Sequence, residues 1–158
     1  MKKLLFALLI LCSIGSNAQN FQIESNKVIW EFNSQKSYSK IYAELLTTGN
    51  FEDFVVLDSL ISCTIFPTTI LYKELGYNNY NIPIYMRDYN ISGNVIIVPH
   101  NSGSKIMIKN IKFVNKYSDS ESFTPAETWF LKRQEYSKSF SKFNKLVDYT
   151  FIQLFGLQ

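Results

Sequence analysis

The last third of the chain carries an aromatic stripe that is typical of a long helix with one buried face. Its members recur at steps of three or four residues: Tyr136, Phe140, Phe143, Val147, Phe151 and Leu154. At this spacing the side chains lie on one side of an α-helix, and the lysines between them point elsewhere. Such a face must be buried against another apolar surface, so the stripe predicts a terminal helix packed on a sheet.

The motif Thr124-Pro125-Ala126-Glu127 indicates where this helix begins. Threonine is a good N-cap, proline suits the first helical position, and a glutamate at the third position completes a capping box. We therefore expect the helix to begin after Thr124 and to end at Gly156. The serines at 137, 139 and 141 form helix poorly, which predicts a kink or break in its first half.

Upstream segments have the patterns of one strand, one helix and two strand pairs. Residues 27–32 predict the first strand, and apolar residues from Tyr38 to Leu45 recur at helical spacing before Gly49. Two hairpins follow, with strands at 54–57 and 60–66 around Asp58-Ser59, and at 91–98 and 105–114 around the turn 99–104. The fold class is therefore α+β: an antiparallel sheet of about five strands (strand, helix, four strands, helix) with the long C-terminal helix on one face.

The N-terminus has the layout of a secretory signal peptide. Lys2 and Lys3 precede an apolar run from 4 to 14, and Ser16 and Ala18 supply small residues for cleavage. The apolar run is too short for a permanent membrane helix. We expect residues 1–18 to be the signal peptide, 19–158 to be a single α+β domain without a transmembrane anchor, and the product to be periplasmic or extracellular.

The cysteines predict a fold that is held together by its core. Cys12 lies in the apolar run after Leu11, where lipoprotein processing would need a small residue, and Cys63 is then the one cysteine of the mature chain. An intramolecular disulfide is therefore excluded. Cys63 shares a strand face with Ile61 and Ile65, which favours a buried structural thiol; a reactive nucleophile or a dimer link is the alternative.

Charge and motif content argue against several classes of function. The formal charge of +3 includes Lys2 and Lys3, so the mature chain carries about +1 and has no basic footprint for nucleic acid. His100 is the sole histidine and lies in a predicted turn, without metal-ligand spacing to another histidine or cysteine. We therefore expect no catalytic residues, no metal and no cofactor, and we do not expect an enzyme.

Several segments resemble a known family of small exported proteins. They are Val28-Ile29-Trp30-Glu31, Gly76-Tyr77 with Pro83-Ile84-Tyr85, Ile111-Lys112-Phe113 with Lys116-Tyr117-Ser118-Asp119, and Tyr149-Thr150-Phe151. The chain is similar over nearly its whole mature length to proteins of unknown function of the DUF4468 type from Gram-negative bacteria. The resemblance implies a TBP-like fold, in the order strand, helix, four strands, helix. It implies no functional residues.

The segment from Tyr72 to Tyr89 is the best candidate for a contact surface. It is rich in tyrosine and asparagine, which together suit recognition of a glycan, peptide or protein. The candidate residues are Tyr72, Tyr77, Tyr80, Tyr85, Arg87 and Tyr89. The alternative is that this long connection wraps the edge of the sheet and buries its aromatic rings.

These observations favour an exported, non-catalytic binding or envelope accessory module. Its partner would be another envelope protein, a glycan or a lipid. The alternative is a carrier of a hydrophobic small molecule or lipid, in a cavity between the sheet and Phe140, Phe143 and Phe151 of the terminal helix. A core filled by those rings is the competing interpretation. An enzyme ranks third, because neither His100 nor Cys63 has an identifiable partner.

Overall fold

The computed structural model describes residues 20–117 and 122–157, so the predicted signal peptide lies outside the described residues. The strands are β1 Phe21–Glu24, β2 Lys27–Ser34, β3 Phe51–Leu57, β4 Leu60–Ile65, β5 Thr68–Thr69, β6 Tyr89–His100, β7 Gly103–Asn115, β8 Phe123–Pro125, β9 Leu131–Lys132 and β10 Glu135–Tyr136. The helices are α1 Tyr38–Thr48, α2 Ile84–Arg87, α3 Glu127–Phe130 and α4 Lys138–Leu154. The fold is α+β, as the sequence predicts.

Within the described residues the main sheet is antiparallel and larger than predicted, with eight strands in place of about five. Its order is β1-β2-β7-β6-β4-β3, while β5 also pairs with β6 and β8 also pairs with β7. The predicted strands are all present, and β1, β5 and β8 are additional. Ser25 and Asn26 join β1 to β2 with φ of 48° and 63°, the left-handed pair that a two-residue hairpin requires.

Both predicted hairpins are present. In the first, Leu57 lies opposite Leu60, so Asp58 and Ser59 form the turn. In the second, His100 lies opposite Gly103, so the turn is shorter than the predicted segment 99–104. The longer strands of this second hairpin, β6 and β7, form the centre of the sheet.

The predicted start of the C-terminal helix is wrong. Thr124 and Pro125 belong to β8, where Thr124 pairs with Phe113 of β7. The Glu127 carboxylate accepts a hydrogen bond from the backbone N–H of Val28 at 3.1 Å, so it does not complete a capping box. The helix α4 begins at Lys138, within the serine-rich stretch for which a break was predicted, and it ends at Leu154.

Ser137 is the N-cap of α4. Its Oγ accepts a hydrogen bond from the backbone N–H of Phe140 at 3.1 Å, which satisfies one of the free donors of the first turn. The Ser137 hydroxyl also donates to the backbone carbonyl of Trp129 at 2.8 Å. One serine therefore caps α4 and ties it to α3.

The aromatic stripe of α4 packs against the sheet, as predicted, although Tyr136, its first predicted member, lies in β10 before the helix. Phe140 and Phe151 are fully buried, and Phe143 is nearly so. Trp30 of β2 contacts Phe151 and stacks on Phe155, with ring centroids 5.4 and 6.2 Å apart. These contacts bury one face of α4 over β2 and its neighbours.

Asp148 joins α4 to the β1–β2 hairpin and the residue before it through two hydrogen bonds. Its Oδ1 accepts from the indole Nε1 of Trp30 and from the side-chain amide of Asn20, each at 2.7 Å. The indole is fully buried. A buried donor without an acceptor is costly, so the position of Asp148 fixes how α4 lies on β2.

Candidate functional site

A groove lies where the segment after β5 meets the start of β6 and the end of β7. Residues 69–74, 79–80, 87–88 and 116–117 line it, and we call it the tyrosine groove. Its volume is about 630 Å³. It brings together Tyr72, Tyr80 and Arg87 of the predicted contact surface.

The wall of the groove is anchored to α4 by Thr150. The backbone N–H of Leu71 donates to Thr150 Oγ1 at 3.0 Å, and the Thr150 hydroxyl donates to the carbonyl of Leu146 at 2.8 Å. Thr150 is buried. A buried hydroxyl that both donates and accepts holds this irregular backbone in one position.

Three charged residues that line the groove are linked by hydrogen bonds. Arg87 donates from Nε and Nη2 to the two carboxylate oxygens of Asp88 at 2.6 and 2.8 Å. This hydrogen-bonded fork lowers the pKa of Asp88 and raises that of Arg87. The ammonium of Lys116 donates to the backbone carbonyl of Arg87 at 2.8 Å.

Lys116 is a groove cation whose pKa is lowered. Burial lowers the pKa of its ammonium, because desolvation disfavours the charged form. The carboxylate of Asp88 opposes this shift, and the ammonium of Lys73 adds to it by repulsion. Lys116 and Lys73 are therefore close enough for their charges to interact.

Two exposed tyrosines flank these charges. Tyr80 is 95% exposed and Tyr117 is 79% exposed. The backbone N–H of Tyr80 donates to the side-chain oxygen of Asn78 at 3.0 Å, and that of Tyr117 donates likewise to Asn115 at 2.9 Å. Each ring is therefore exposed to solvent, while a local side-chain hydrogen bond fixes the backbone that carries it.

The other predicted surface tyrosines contribute mainly to the core. Tyr85 is buried and stacks on Trp129, with centroids 5.0 Å apart, and the half-buried Tyr89 meets the same indole edge-on. The half-buried Tyr77 packs against Phe143, with centroids 6.0 Å apart. Tyr72 is also buried, although its hydroxyl donates to the side-chain oxygen of Asn79 at the groove.

Most residues that line the groove were not among the predicted contact residues, and three of them bear on its chemistry. Lys73, Lys116 and Tyr117 all line it, and none was among the candidate contact residues. Lys73 lies inside the segment that attracted attention for its tyrosines. Lys116 and Tyr117 lie at the end of β7, and they reach the groove because β7 pairs with β6 along its whole length.

The residues considered for catalysis are not arranged as an active site. Cys63 is buried, as predicted, and its burial raises the pKa of the thiol to about 12. His100 is exposed at the end of β6, where its Nε2 lies 3.1 Å from the side-chain nitrogen of Asn101. Among residues 20–117 and 122–157, no group of three or more histidine, cysteine or acidic side chains could hold a metal ion.

Cys63 should be inert to thiol reagents in the folded protein. At pH 8 its raised pKa leaves very little thiolate, and the sulfur is buried. We expect N-ethylmaleimide to modify the protein at least about a hundredfold faster in guanidinium than under native conditions. Mass spectrometry over time gives both rates, and a native rate within tenfold of the unfolded one would contradict the buried position.

In the part of the chain that the structure describes, no helix is both long enough and apolar enough to span a membrane.

Comparisons with known proteins bear on the fold. No family profile matches the sequence, and no curated protein matches it. Among solved structures, a TBP-like protein from Parabacteroides distasonis is 12% identical, with a TM-score of 0.51 over 85% of this chain and 94% of that one. A DUF4468 family protein from Bacteroides ovatus is 13% identical, with a TM-score of 0.51 over 89% and 93%.

The chain has the fold of these two proteins. The predicted resemblance to DUF4468 and TBP-like proteins is thereby confirmed at the level of the fold. Neither protein is described as an enzyme. At 12–13% identity the likeness says nothing about ligands, so any function for this TBP-like domain must be argued from its own groove.

Proposed function

We propose that this protein is an exported, non-catalytic binding module whose ligand occupies the tyrosine groove. One observation carries the proposal: exposed Tyr80 and Tyr117 flank the cations of Lys73, Arg87 and Lys116 in a groove of about 630 Å³. Exposed tyrosine rings give large contact area at little cost in entropy, and the cations supply hydrogen-bond donors. This combination suits recognition of a polar ligand.

The chemistry of the groove favours binding over catalysis. Its two carboxylates are both engaged, Asp88 by the Arg87 fork and Glu74 by the hydroxyl of Tyr149 at 3.0 Å. A general base needs a nucleophile or substrate proton within hydrogen-bond reach. His100 is at the opposite end of β6, about 30 to 40 Å along the strand at its usual rise per residue.

The packing of the core gives the carrier alternative no support. The rings expected to line a cavity instead contact other rings: Phe140 stacks on Phe130 with centroids 3.9 Å apart, and Phe151 contacts Trp30. Phe140 and Phe151 have no exposed surface. A closely packed interior leaves little space for a lipid at this position.

Export is part of the proposal and rests on the sequence of residues 1–18. The charged start, apolar run and small residues before Gln19 have the order of a secretory signal. N-terminal sequencing of the protein from its own cells tests this. A chain that begins at Gln19 is the expected result, and a chain that keeps Met1 would contradict export by this route.

Ligand retention by the groove tests the binding function. The wild-type protein and a triple variant, Lys73→Met, Tyr80→Ser and Lys116→Met, are immobilised and exposed to solubilised envelope from the native cells. Retained glycans, peptides and lipids are then identified by mass spectrometry. We expect the wild type to retain a polar component that the variant loses by at least about tenfold, because the variant removes two charges and one stacking ring.

A control separates loss of the groove from loss of the fold. Lys40 is exposed on α1, so Lys40→Met removes a surface charge away from the groove and should leave retention unchanged. Thermal unfolding monitored by circular dichroism checks that all variants remain folded. Equal retention by the wild type and the folded triple variant would contradict a role for the groove, and retention of a lipid by both would favour a carrier.

A further inference from the structure

The tyrosine groove is lined by two ammonium groups, those of Lys73 and Lys116. Lys116 donates one N–H to the backbone carbonyl of Arg87, and Lys73 is exposed at the rim. Among the described residues, neither ammonium forms a salt bridge. Their mutual repulsion is one of the influences that lower the pKa of Lys116.

The carboxylates nearby neutralise this pair only in part, because the Asp88 carboxylate that attracts Lys116 is already shared with Arg87. Asp88 accepts from Arg87 with both of its oxygens, and Glu74 accepts from the hydroxyl of Tyr149. An anion from outside would relieve the repulsion and form charge-assisted hydrogen bonds with both ammonium groups. The half-buried position of Lys116 strengthens such a bond, because water screens it less.

The rest of the groove fits a sugar better than a peptide. Tyr80 and Tyr117 present open ring faces, and Asn79 supplies an exposed amide at the same rim. Flat rings beside amides suit the apolar faces and hydroxyl groups of a saccharide. Strand addition by a peptide needs a free sheet edge, and β5, the strand at the groove, has only two residues.

We propose that the tyrosine groove binds an acidic oligosaccharide, with its carboxylate or sulfate between Lys73 and Lys116 and a sugar ring against Tyr80 or Tyr117. This rests on the proposed function and adds the chemical class of the ligand. The anion supplies affinity and fixes the orientation of the chain of sugars. The exposed tyrosine rings can pack against a sugar ring without a deep pocket.

Isothermal titration calorimetry with matched probes tests the proposal. The purified protein is titrated with galactotriose, with the corresponding trigalacturonate, with a sulfated galactotriose, and with hexaglutamate as an acidic peptide. We expect trigalacturonate or the sulfated sugar to bind at least about tenfold more tightly than neutral galactotriose, since a hydrogen bond to a charged group is worth about one order of magnitude or more. Hexaglutamate should bind more weakly than the acidic sugars.

Single variants locate the anion and the ring. Lys116→Met and Lys73→Met should each weaken binding of the acidic sugar by at least about tenfold and leave the affinity for galactotriose nearly unchanged. Tyr80→Ser should weaken binding of both the acidic and the neutral sugar. Lys40→Met on α1 is the charge-matched control and should leave the affinity for every probe unchanged. Added salt should weaken binding of the acidic sugar and leave binding of galactotriose unchanged.

The possible failures differ from those of the proposed function. If galactotriose binds as tightly as trigalacturonate and Tyr80→Ser weakens that binding, the protein is still a binding module. The proposal that its ligand is acidic would then be wrong. If hexaglutamate binds more tightly than the acidic sugars, the sugar proposal is wrong and the ligand is an acidic peptide. If none of the four probes binds, the acidic-oligosaccharide proposal falls, while the retention experiment still decides whether the groove binds a ligand.

Discussion

Replacing Phe140 by alanine should lower the free energy of unfolding by about 3 to 5 kcal/mol. The ring is fully buried, stacks on Phe130 with centroids 3.9 Å apart, and meets Phe21 edge-on at 5.1 Å. Its removal leaves a cavity at the point where α4, α3 and β1 converge. Guanidinium unfolding followed by circular dichroism measures the loss.

Phe66→Ala is the matched control for this prediction. Phe66 is 55% exposed, so the same change in side-chain volume should cost less than about 1 kcal/mol there. A loss below about 1 kcal/mol at Phe140 would show that the aromatic face of α4 is not core. That result would reopen the possibility of a ligand cavity beneath the helix.

Replacing Asp148 by alanine should cost about 2 to 4 kcal/mol. The variant leaves the buried indole N–H of Trp30 without its acceptor, and it also frees the side-chain amide of Asn20. Hydrogen bonds to charged groups are among the stronger ones, and an unsatisfied buried donor adds a desolvation penalty. Equilibrium unfolding in guanidinium gives the difference between wild type and variant.

A double-mutant cycle isolates the bond between Trp30 and Asp148. Trp30→Phe keeps an aromatic ring and removes the donor, so the cost of Asp148→Ala should be smaller in that background by about 1 to 2 kcal/mol. Asp58→Ala, in the exposed turn between β3 and β4, is the control and should be nearly neutral. A coupling energy below about 0.3 kcal/mol would mean that this hydrogen bond does not hold α4 in place.

Local patterns in the sequence predicted the elements that depend on local physics. The α4 stripe and the alternation around Cys63 each reflect one buried and one exposed face, and the turn at Asp58-Ser59 reflects polar residues between two apolar runs; the structure contains all three. The error at Thr124 has a different cause. Its segment has the composition of a helix start, but pairing with Phe113 of β7 outweighs that local preference.

The remaining differences in the fold also arise from contacts that composition does not reveal. Ser137 weakens a helix when it lies inside one and stabilises a helix when it caps one, and which applies depends on where α4 begins. The strand β1 begins soon after the predicted cleavage site, and its turn Ser25-Asn26 lacks the glycine that usually marks a two-residue hairpin. Short strands such as β5 exist because a longer neighbour offers them hydrogen bonds.

The candidate site was predictable only in part, because local composition identifies one wall and contacts between distant segments form the rest. Tyr80 and Arg87 lie in a segment whose composition is unusual, and this identified one wall of the groove. Lys116 and Tyr117 come from a distant part of the chain, and only the pairing of β6 with β7 brings them to that wall. Composition also could not distinguish Tyr85, which packs on Trp129, from Tyr80, which stands in solvent.

Photo-crosslinking in living cells tests the central claim, that the tyrosine groove binds a ligand, most directly. Benzoylphenylalanine is placed at position 80 in the groove and, as a control, at position 40 on α1, in the cells that make the protein. After irradiation, the protein is purified and its adducts are identified by mass spectrometry. We predict a discrete adduct at position 80 that is absent at position 40. A protein that is folded and fully exported, yet gives no more adduct at position 80 than at position 40, would contradict the account.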